Sequence, residues 1–284
     1  MKNLIKTVVS AVVAVSLVAC STQKEERTVA QTETDKIVLG SIGSDAQIWK
    51  YIAQSKEAKQ LGLDIEVKEI NDGVALNQAV IDKEVDVNAF QSWAYFKAFN
   101  KLKGEPLEAI ATTYLEPMGL YSKRYKSLDD LPQKAVVAIP NDVANTSRAL
   151  KLLEQAKVIQ LKANFNPISG GLNDIEKNPK QISIKLVKGA QGPRVLDDVD
   201  VVAIGNTNAL ESGLNVIQDS LSHETVENKV VENINILVVR KDRKDDKNLQ
   251  KLNTLYHQPF VEEYIQKNFG GTKLDINQPV STLN

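Results

Sequence analysis

Ala135-Val-Val-Ala-Ile-Pro-Asn-Asp-Val-Ala-Asn-Thr-Ser-Arg148 is an apolar run that turns directly into a helical pattern. Ala135–Ile139 reads as a buried strand. The helix opens at Asn141 or Asp142, either of which supplies the side-chain oxygen that caps free backbone N–H groups, and the pattern runs to about Ala156. Asn141, Asn145 and Arg148 are spaced by four and three, so they share one stripe, which continues as Ala149, Leu152, Leu153 and Ala156. The core-facing side of this helix thus begins with amides and a guanidinium. Arg148 stands near the positive end of the helix dipole, where a cation requires an anionic partner. Two partners fit the pattern, an internal Asp or Glu or the carboxylate of a ligand held by free N–H groups, amides and arginine together, unless the side chain simply snorkels to water.

The surrounding chain repeats the strand–helix alternation. Lys36–Ile42 reads as a strand and Ala46–Gln60 as a helix. Leu63–Ile70 alternates cleanly as a second strand, and Ala75–Lys83 is helical. Val85–Ala89 is a short strand, Trp93–Leu102 a helix and Leu107–Thr113 a strand. Further strands are expected at Gly119–Lys123, Ile182–Val187, Val199–Ile204 and Val230–Arg240, with a short helix at Ser127–Leu131, a loop over Asn173–Lys180 and closing helices at Lys247–Tyr256 and Phe260–Phe269. This order, without hairpin signals, predicts parallel α/β units. Glu84-Val-Asp-Val-Asn-Ala89 echoes Asp198-Val-Asp-Val-Val-Ala203, and each leads into polar residues, Asn88 and Gln91 in one case, Asn206 and Asn208 in the other. Ligands of open α/β sheets sit beyond the carboxyl ends of strands, so both ends are candidates for one cleft.

Lys2 and Lys6 precede the apolar run Val8–Val18, which is too short to span a membrane and has the form of an export signal. Leu17-Val-Ala-Cys20 ends it as a lipobox, predicting a signal over 1–19, a lipid on Cys20 and a polar tether over 20–36. Cys20 is the only cysteine of the 284 residues, which excludes disulfides within the chain. Lys and Arg total 35 against 36 Asp and Glu. With no basic stripe carrying aromatics, nucleic acid is not an expected partner. His223 and His257 have no ligand spacing, no phosphate or dinucleotide fingerprint is present, and no nucleophile–base pair is visible. The expectation is a binding protein, not an enzyme, with no cofactor and no metal.

Asp86-Val-Asn-Ala-Phe-Gln91, Tyr121-Ser-Lys-Arg124, Ser127-Leu-Asp-Asp-Leu131, the Pro140–Arg148 stretch, Asn178-Pro-Lys180 and Asn206-Thr207, together with the signal and Cys20, occur in order over nearly the whole chain. As a set they resemble the NlpA/MetQ family of substrate-binding lipoproteins, which serve methionine-type ABC importers. The resemblance implies an α/β, two-lobed periplasmic-binding-protein fold, type II-like, with lobe 1 formed by 37–120 and 235–284 and lobe 2 by 121–234. It implies a monomer on the extracytoplasmic face of a bacterial membrane, anchored through Cys20, that delivers a small amino-acid ligand to an ABC permease.

The family's clamp for the ligand's carboxylate and amino group matches Arg148, Asn145, Asn206 and Asn235, and its aromatic pocket matches Phe90 and Tyr95. Three wall positions depart. Methionine binders commonly carry Tyr at Gly73, His at Ser92 and Tyr at Glu116. Loss of two rings is expected to leave space a thioether cannot fill. Glu116, if it faces the cleft, is expected to favour a cationic or hydrogen-bonding ligand group, with Trp93 refilling part of the space. The ligand class is then an α-amino acid or derivative, not necessarily methionine. A surface lipoprotein acting as adhesin or scaffold, with no transported ligand, is the alternative. Hinges are expected near Gly119–Tyr121 and Asn235–Val239.

Overall fold

The computed structural model describes residues 35–225 and 230–284. The expected signal, Cys20 and most of the tether lie outside the described residues. The chain runs β1 (Asp35–Ser41), α1 (Gly43–Ala53), α2 (Lys56–Gln60), β2 (Leu63–Glu69), α3 (Gly73–Ile81), β3 (Val87–Ser92), α4 (Trp93–Leu102), β4 (Leu107–Thr112) and β5 (Tyr114–Leu115). There follow β6 (Met118–Tyr121), β7 (Val136–Pro140), α5 (Val143–Gln155), β8 (Gln160–Leu161), β9 (Ile175–Lys177) and β10 (Ser183–Val187). Next come β11 (Val201–Gly205), α6 (Asn206–Glu211), α7 (Val216–Asp219) and β12 (Ser222–His223). The last elements are β13 (Asn235–Arg240), α8 (Lys247–Tyr256), α9 (Pro259–Phe269) and β14 (Leu274–Asp275).

Two five-stranded sheets result, ordered β2-β1-β3-β13-β4 and β10-β7-β11-β6-β12. Their plans correspond strand for strand over the first four positions. β1 lies parallel to β2 and β3, as β7 lies parallel to β10 and β11. The crossing strands β13 and β6 then run antiparallel to β3 and β11. The sequence echo falls on β3 and β11, the equivalent strands, and its aspartates do equivalent work. Asp86 Oδ2 accepts from Val38 N at 2.8 Å, and Asp200 Oδ2 accepts from Val136 N at 2.7 Å. Each carboxylate is also paired with an arginine, Arg243 and Arg124 respectively. Each thus satisfies a backbone donor of the equivalent strands β1 and β7.

The chain leaves the first sheet after β4, runs through β5, which pairs with β14, and enters the second sheet at β6; β13, after β12, is again a strand of the first sheet. Gly119–Tyr121 and Asn235–Val239, expected as hinges, are already strand on either side of these crossings. Helices α8 and α9 pack on the first sheet, where Leu249, Leu252, Tyr256 and Val261 join Leu39, Ile48 and Trp49 in one core. The second sheet has its own core of Val137, Ile139, Leu150, Leu153 and Val201. Burying each such aliphatic side chain contributes about 1.5–3 kcal/mol.

Several elements differ from the sequence expectation for local reasons. The single helix expected over Ala46–Gln60 breaks in two, because Ser55 takes an extended conformation and its Oγ accepts from Ala58 N at 3.1 Å as a new cap. Helix α3 begins two residues early, at Gly73, because the Asp72 carboxylate caps it by accepting from Ala75 N at 3.0 Å. The strand expected to start at Val230 starts at Asn235, after a 3-10 turn over Val231–Asn233. The loop over Asn173–Lys180 contains β9, paired with β8.

Candidate functional site

Strand ends of both sheets converge on a cavity of about 600 Å³. From the first sheet it is lined by Ile42 after β1, Asn71–Val74 after β2, Phe90–Ser92 at the end of β3, Tyr95 of α4 and Asn235 at the start of β13. Opposite lie Pro140–Asp142 after β7, Asn145 and Arg148 of α5, Lys188–Ala190 after β10, and Gly205, Thr207 and Asn208 at the β11–α6 junction. Parallel strands direct their carboxyl ends, and the helix starts that follow them, into this gap.

At the start of α5, Asp142 is the cap. It accepts from Asn145 N at 2.9 Å and from Asn145 Nδ2 at 3.1 Å. The stripe continues into the core as the spacing predicts, with Ala149, Leu152 and Leu153 buried. Arg148 has an internal anion. Its Nε donates to Glu224 Oε1 and Oε2 at 2.9 and 3.0 Å, and its Nη2 donates to Oε2 at 2.5 Å and to the Glu116 carbonyl at 2.6 Å. Burial opposes the guanidinium charge, but Glu224 outweighs it and the Arg148 pKa is raised. Glu224 is fixed in turn by Met118 N at 2.8 Å and Asn233 Nδ2 at 3.2 Å. Of the two partners left open by the sequence, the internal carboxylate is present. Arg148 still lines the cavity, and its Nη1 makes no hydrogen bond among the described residues.

The aromatic wall is compact. Phe90 and Tyr95 meet edge to face, with centroids 5.7 Å apart. A Cβ at Gly73 would lie 2.7 Å from Tyr95 Oη and 2.8 Å from Phe90 Cε2. The space expected to be left by a missing ring at Gly73 is therefore filled by these two residues. Burial, then Asp142 and Asp72, push the Tyr95 hydroxyl up, so it stays a neutral donor. Ser92 lines the cavity and caps α4, its Oγ accepting from Tyr95 N at 3.3 Å. Trp93 does not line the cavity. It is buried against Phe96 at 5.3 Å and in the core around Ile234, Ile236 and Val238, so it refills nothing.

Glu116 does reach the cavity, but with a cation already in place. Its Oε2 lies 2.6 Å from Lys273 Nζ, which is fully buried and also 2.8 Å from Asp45 Oδ1. Lys273 stands 4.0 Å from the Tyr114 ring centroid, a cation–π contact. Asn206 Nδ2 and Thr207 Oγ1 donate to Glu116 at 3.0 and 3.1 Å. Asn206 is thus engaged behind the wall and does not line the cavity, whereas Asn145 and Asn235 do. Asn88 is buried too. It forms a closed amide network with Asn77 and Gln91, in which Gln91 Nε2 donates to Asn77 Oδ1 at 2.7 Å and to Asn88 Oδ1 at 2.9 Å. That network sets the orientation of Gln91, which faces the cavity.

Sequence reading missed Asp45, Lys273 and Glu224. Asp45 sits in the first turn of α1, and Lys273 and Glu224 lie in segments without periodicity, so no spacing marks them. The Glu116 departure was the one available signal, since a carboxylate at a buried wall position requires a cation.

Two sheets joined by crossing segments, with a cavity between their strand ends, define the periplasmic-type solute-binding class, with two lobes of α/β architecture. The chain belongs to the NlpA lipoprotein family, whose profile matches residues 37–277. It is 32% identical to lipoprotein YhcJ of Bacillus subtilis over 96% of this chain and 93% of the relative. It is 35% identical to the D-methionine-binding lipoprotein MetQ of Escherichia coli over 81% of this chain and 84% of that one. Among solved structures, a nutrient binding protein from Burkholderia cenocepacia bound to methionine superposes with a TM-score of 0.78 at 37% identity, covering 84% of this chain and 99% of that one.

Proposed function

We propose that this chain is the extracytoplasmic solute-binding lipoprotein of an ABC importer, capturing an α-amino acid, methionine or a related derivative, and handing it to a membrane permease. The carrying observation is Arg148. It is held by Glu224 on one edge, with no hydrogen bond to Nη1 among the described residues, at a cavity wall that also presents Asn145 and Asn235. The ligand's carboxylate meets Nη1 and these amides, while its side chain lies on Phe90 and Tyr95. The two sheets with their helices act as lobes that close on the ligand, and the crossing between β5 and β6 absorbs part of the rotation. Kinship with proteins named for methionine binding supports the class of ligand. Cys20 carries the lipid that holds the monomer at the outer face of the membrane. The role is capture and delivery, without catalysis.

Native mass spectrometry of the protein as purified tests this reading. A single small amino-acid adduct, lost on unfolding and restored by adding that amino acid, is the expected result. No adduct, and no thermal shift with any of a panel of amino acids and dipeptides, favours an adhesin or scaffold instead.

A further inference from the structure

Glu116 and Pro117 are the two residues between β5 and β6, and backbone groups at this crossing set the direction of Arg148. The Glu116 carbonyl accepts from Arg148 Nη2 at 2.6 Å. Met118 N donates at 2.8 Å to Glu224 Oε2, the oxygen that also accepts from Arg148 Nη2 at 2.5 Å. Arg148 therefore follows this segment twice, once directly and once through Glu224. Neither Glu116 nor Pro117 lies in a strand, and β5 before them pairs only with β14. That pairing sets Leu274 opposite Leu115 and Asp275 opposite Tyr114, so in the same antiparallel register Lys273 comes opposite Glu116. An ion pair continues the ribbon there, with Lys273 Nζ 2.6 Å from Glu116 Oε2, and opposite charges facing across two strands support their alignment. Lys273 is completely buried, is steadied by Asp45 at 2.8 Å, and does not line the cavity. Burial opposes the Glu116 charge, but Lys273 outweighs it and the Glu116 pKa is lowered.

We infer that Lys273 is a positioning residue for Arg148: through Glu116 it fixes the crossing segment on which the guanidinium is aimed into the cleft. The β5–β14 ribbon thereby sets the direction of a side chain carried by α5, on the other sheet. Without the ammonium, the Glu116 carboxylate keeps only the donors Asn206 Nδ2 and Thr207 Oγ1. A buried carboxylate without a cation is costly, and it is relieved by taking up a proton or by moving towards water. Either change releases the side chain that holds the Glu116 carbonyl in place, and the guanidinium plane moves with that carbonyl. The effect of Lys273 on affinity rests on reading the cleft as an amino-acid site; its effect on the direction of Arg148 does not.

Nitrogen-15 NMR of the Arg148 Nε–H group, which donates to Glu224, tests this in wild type, Lys273→Met and Lys273→Met/Asp45→Asn. The double variant also removes one of the two carboxylates that Lys273 serves, so it keeps a folded protein to measure if the single variant does not fold. Asp45→Asn alone, and Leu252→Ala in the core of the first sheet, are the controls for a lost charge and for lost stability. The Arg148 signal shifts and its exchange with solvent quickens about tenfold or more in the Lys273 variants, and it stays in place in both controls. L-Methionine binds about tenfold or more weakly to the Lys273 variants than to Leu252→Ala. An unchanged Arg148 signal in the folded double variant overturns the inference, and so does a displaced signal with wild-type affinity for L-methionine. If L-methionine does not bind wild type while the signal still responds to Lys273, the methionine reading fails and the positioning of Arg148 stands.

Discussion

Arg148 and Glu224 meet along one edge of the guanidinium, with Nε 2.9 Å from Oε1 and Nη2 2.5 Å from Oε2. The pair is mostly buried, at 11% and 17% side-chain exposure, and it joins α5 to the crossing that returns to the first sheet. Arg148 is therefore both a wall of the cavity and a structural ion pair. Its replacement has two effects that need separate measurement.

Removing one member of a buried pair leaves the other charge unpaired, which costs about 3–5 kcal/mol when burial is complete. With the residual exposure here, Arg148→Met is expected to cost about 2–3 kcal/mol in the ligand-free protein, lowering its Tm by several degrees. Arg148→Met combined with Glu224→Gln recovers at least about 1 kcal/mol of this, because no buried charge is then orphaned. Thermal or denaturant unfolding of the apo proteins checks the cycle. Strict additivity of the two changes would show that the pair is not coupled.

Gly73 stands where its missing side chain matters sterically. Gly73→Ala places a Cβ against Tyr95 Oη and Phe90 and is expected to destabilise by about 1–3 kcal/mol. Tyr95→Phe removes the nearest obstructing atom and recovers part of that loss in the double variant. Urea unfolding of the three proteins tests this, and a neutral Gly73→Ala contradicts the filled wall.

Asp45 predicts a pH dependence. Its pKa in the fold is about 6 against an ordinary 3.8, raised chiefly by burial. The folded state binds this proton more tightly than the unfolded state. The contribution therefore favours folding below pH 3.8 and is lost as pH rises through about 6. Asp45→Asn, which cannot ionise, should gain stability relative to wild type over that window, by up to about 3 kcal/mol. Stability curves of both proteins from acid to neutral pH measure it. A constant difference between them would mean that Asp45 is not strained by burial.

Asn77 holds the buried amide network together, accepting from both Asn88 and Gln91. Asn77→Ala leaves those amides unsatisfied and is expected to cost about 1–3 kcal/mol. It also frees Gln91, weakening ligand binding. Asn77→Asp, which keeps the acceptor oxygen, should retain more affinity than Asn77→Ala in a parallel titration.

Much of this architecture was legible in the chain itself. Alternation in Leu63–Glu69 and the apolar run at Val136–Ile139 marked strands, because each buries side chains on regular faces. Helix phase put Arg148 and Asn145 on one stripe with the core residues of α5. The Val-Asp echo marked equivalent strands in the two sheets, since the same aspartate contact recurs at Asp86 and Asp200. What pairs with Arg148 was not legible, because Glu224 is 76 residues away in a segment without periodicity. The same holds for Lys273, which lies 157 residues from Glu116 and 228 from Asp45. Side-chain partners brought together by tertiary packing leave no local spacing to read. Asn206 is the reverse case, a motif position that the sequence marks for the ligand and that stands behind the cavity wall, hydrogen-bonded to Glu116.

An α-amino acid is expected to bind between the two sheets, against the edge of Arg148 opposite Glu224. Isothermal titration of ligand-stripped wild type and Arg148→Met with L-methionine and a panel of amino acids tests it most directly. Saturable binding of one molecule per chain is expected for at least one member, weakened about 100-fold or more in the folded variant. Equal binding by both proteins, or none by wild type across the panel, would contradict it.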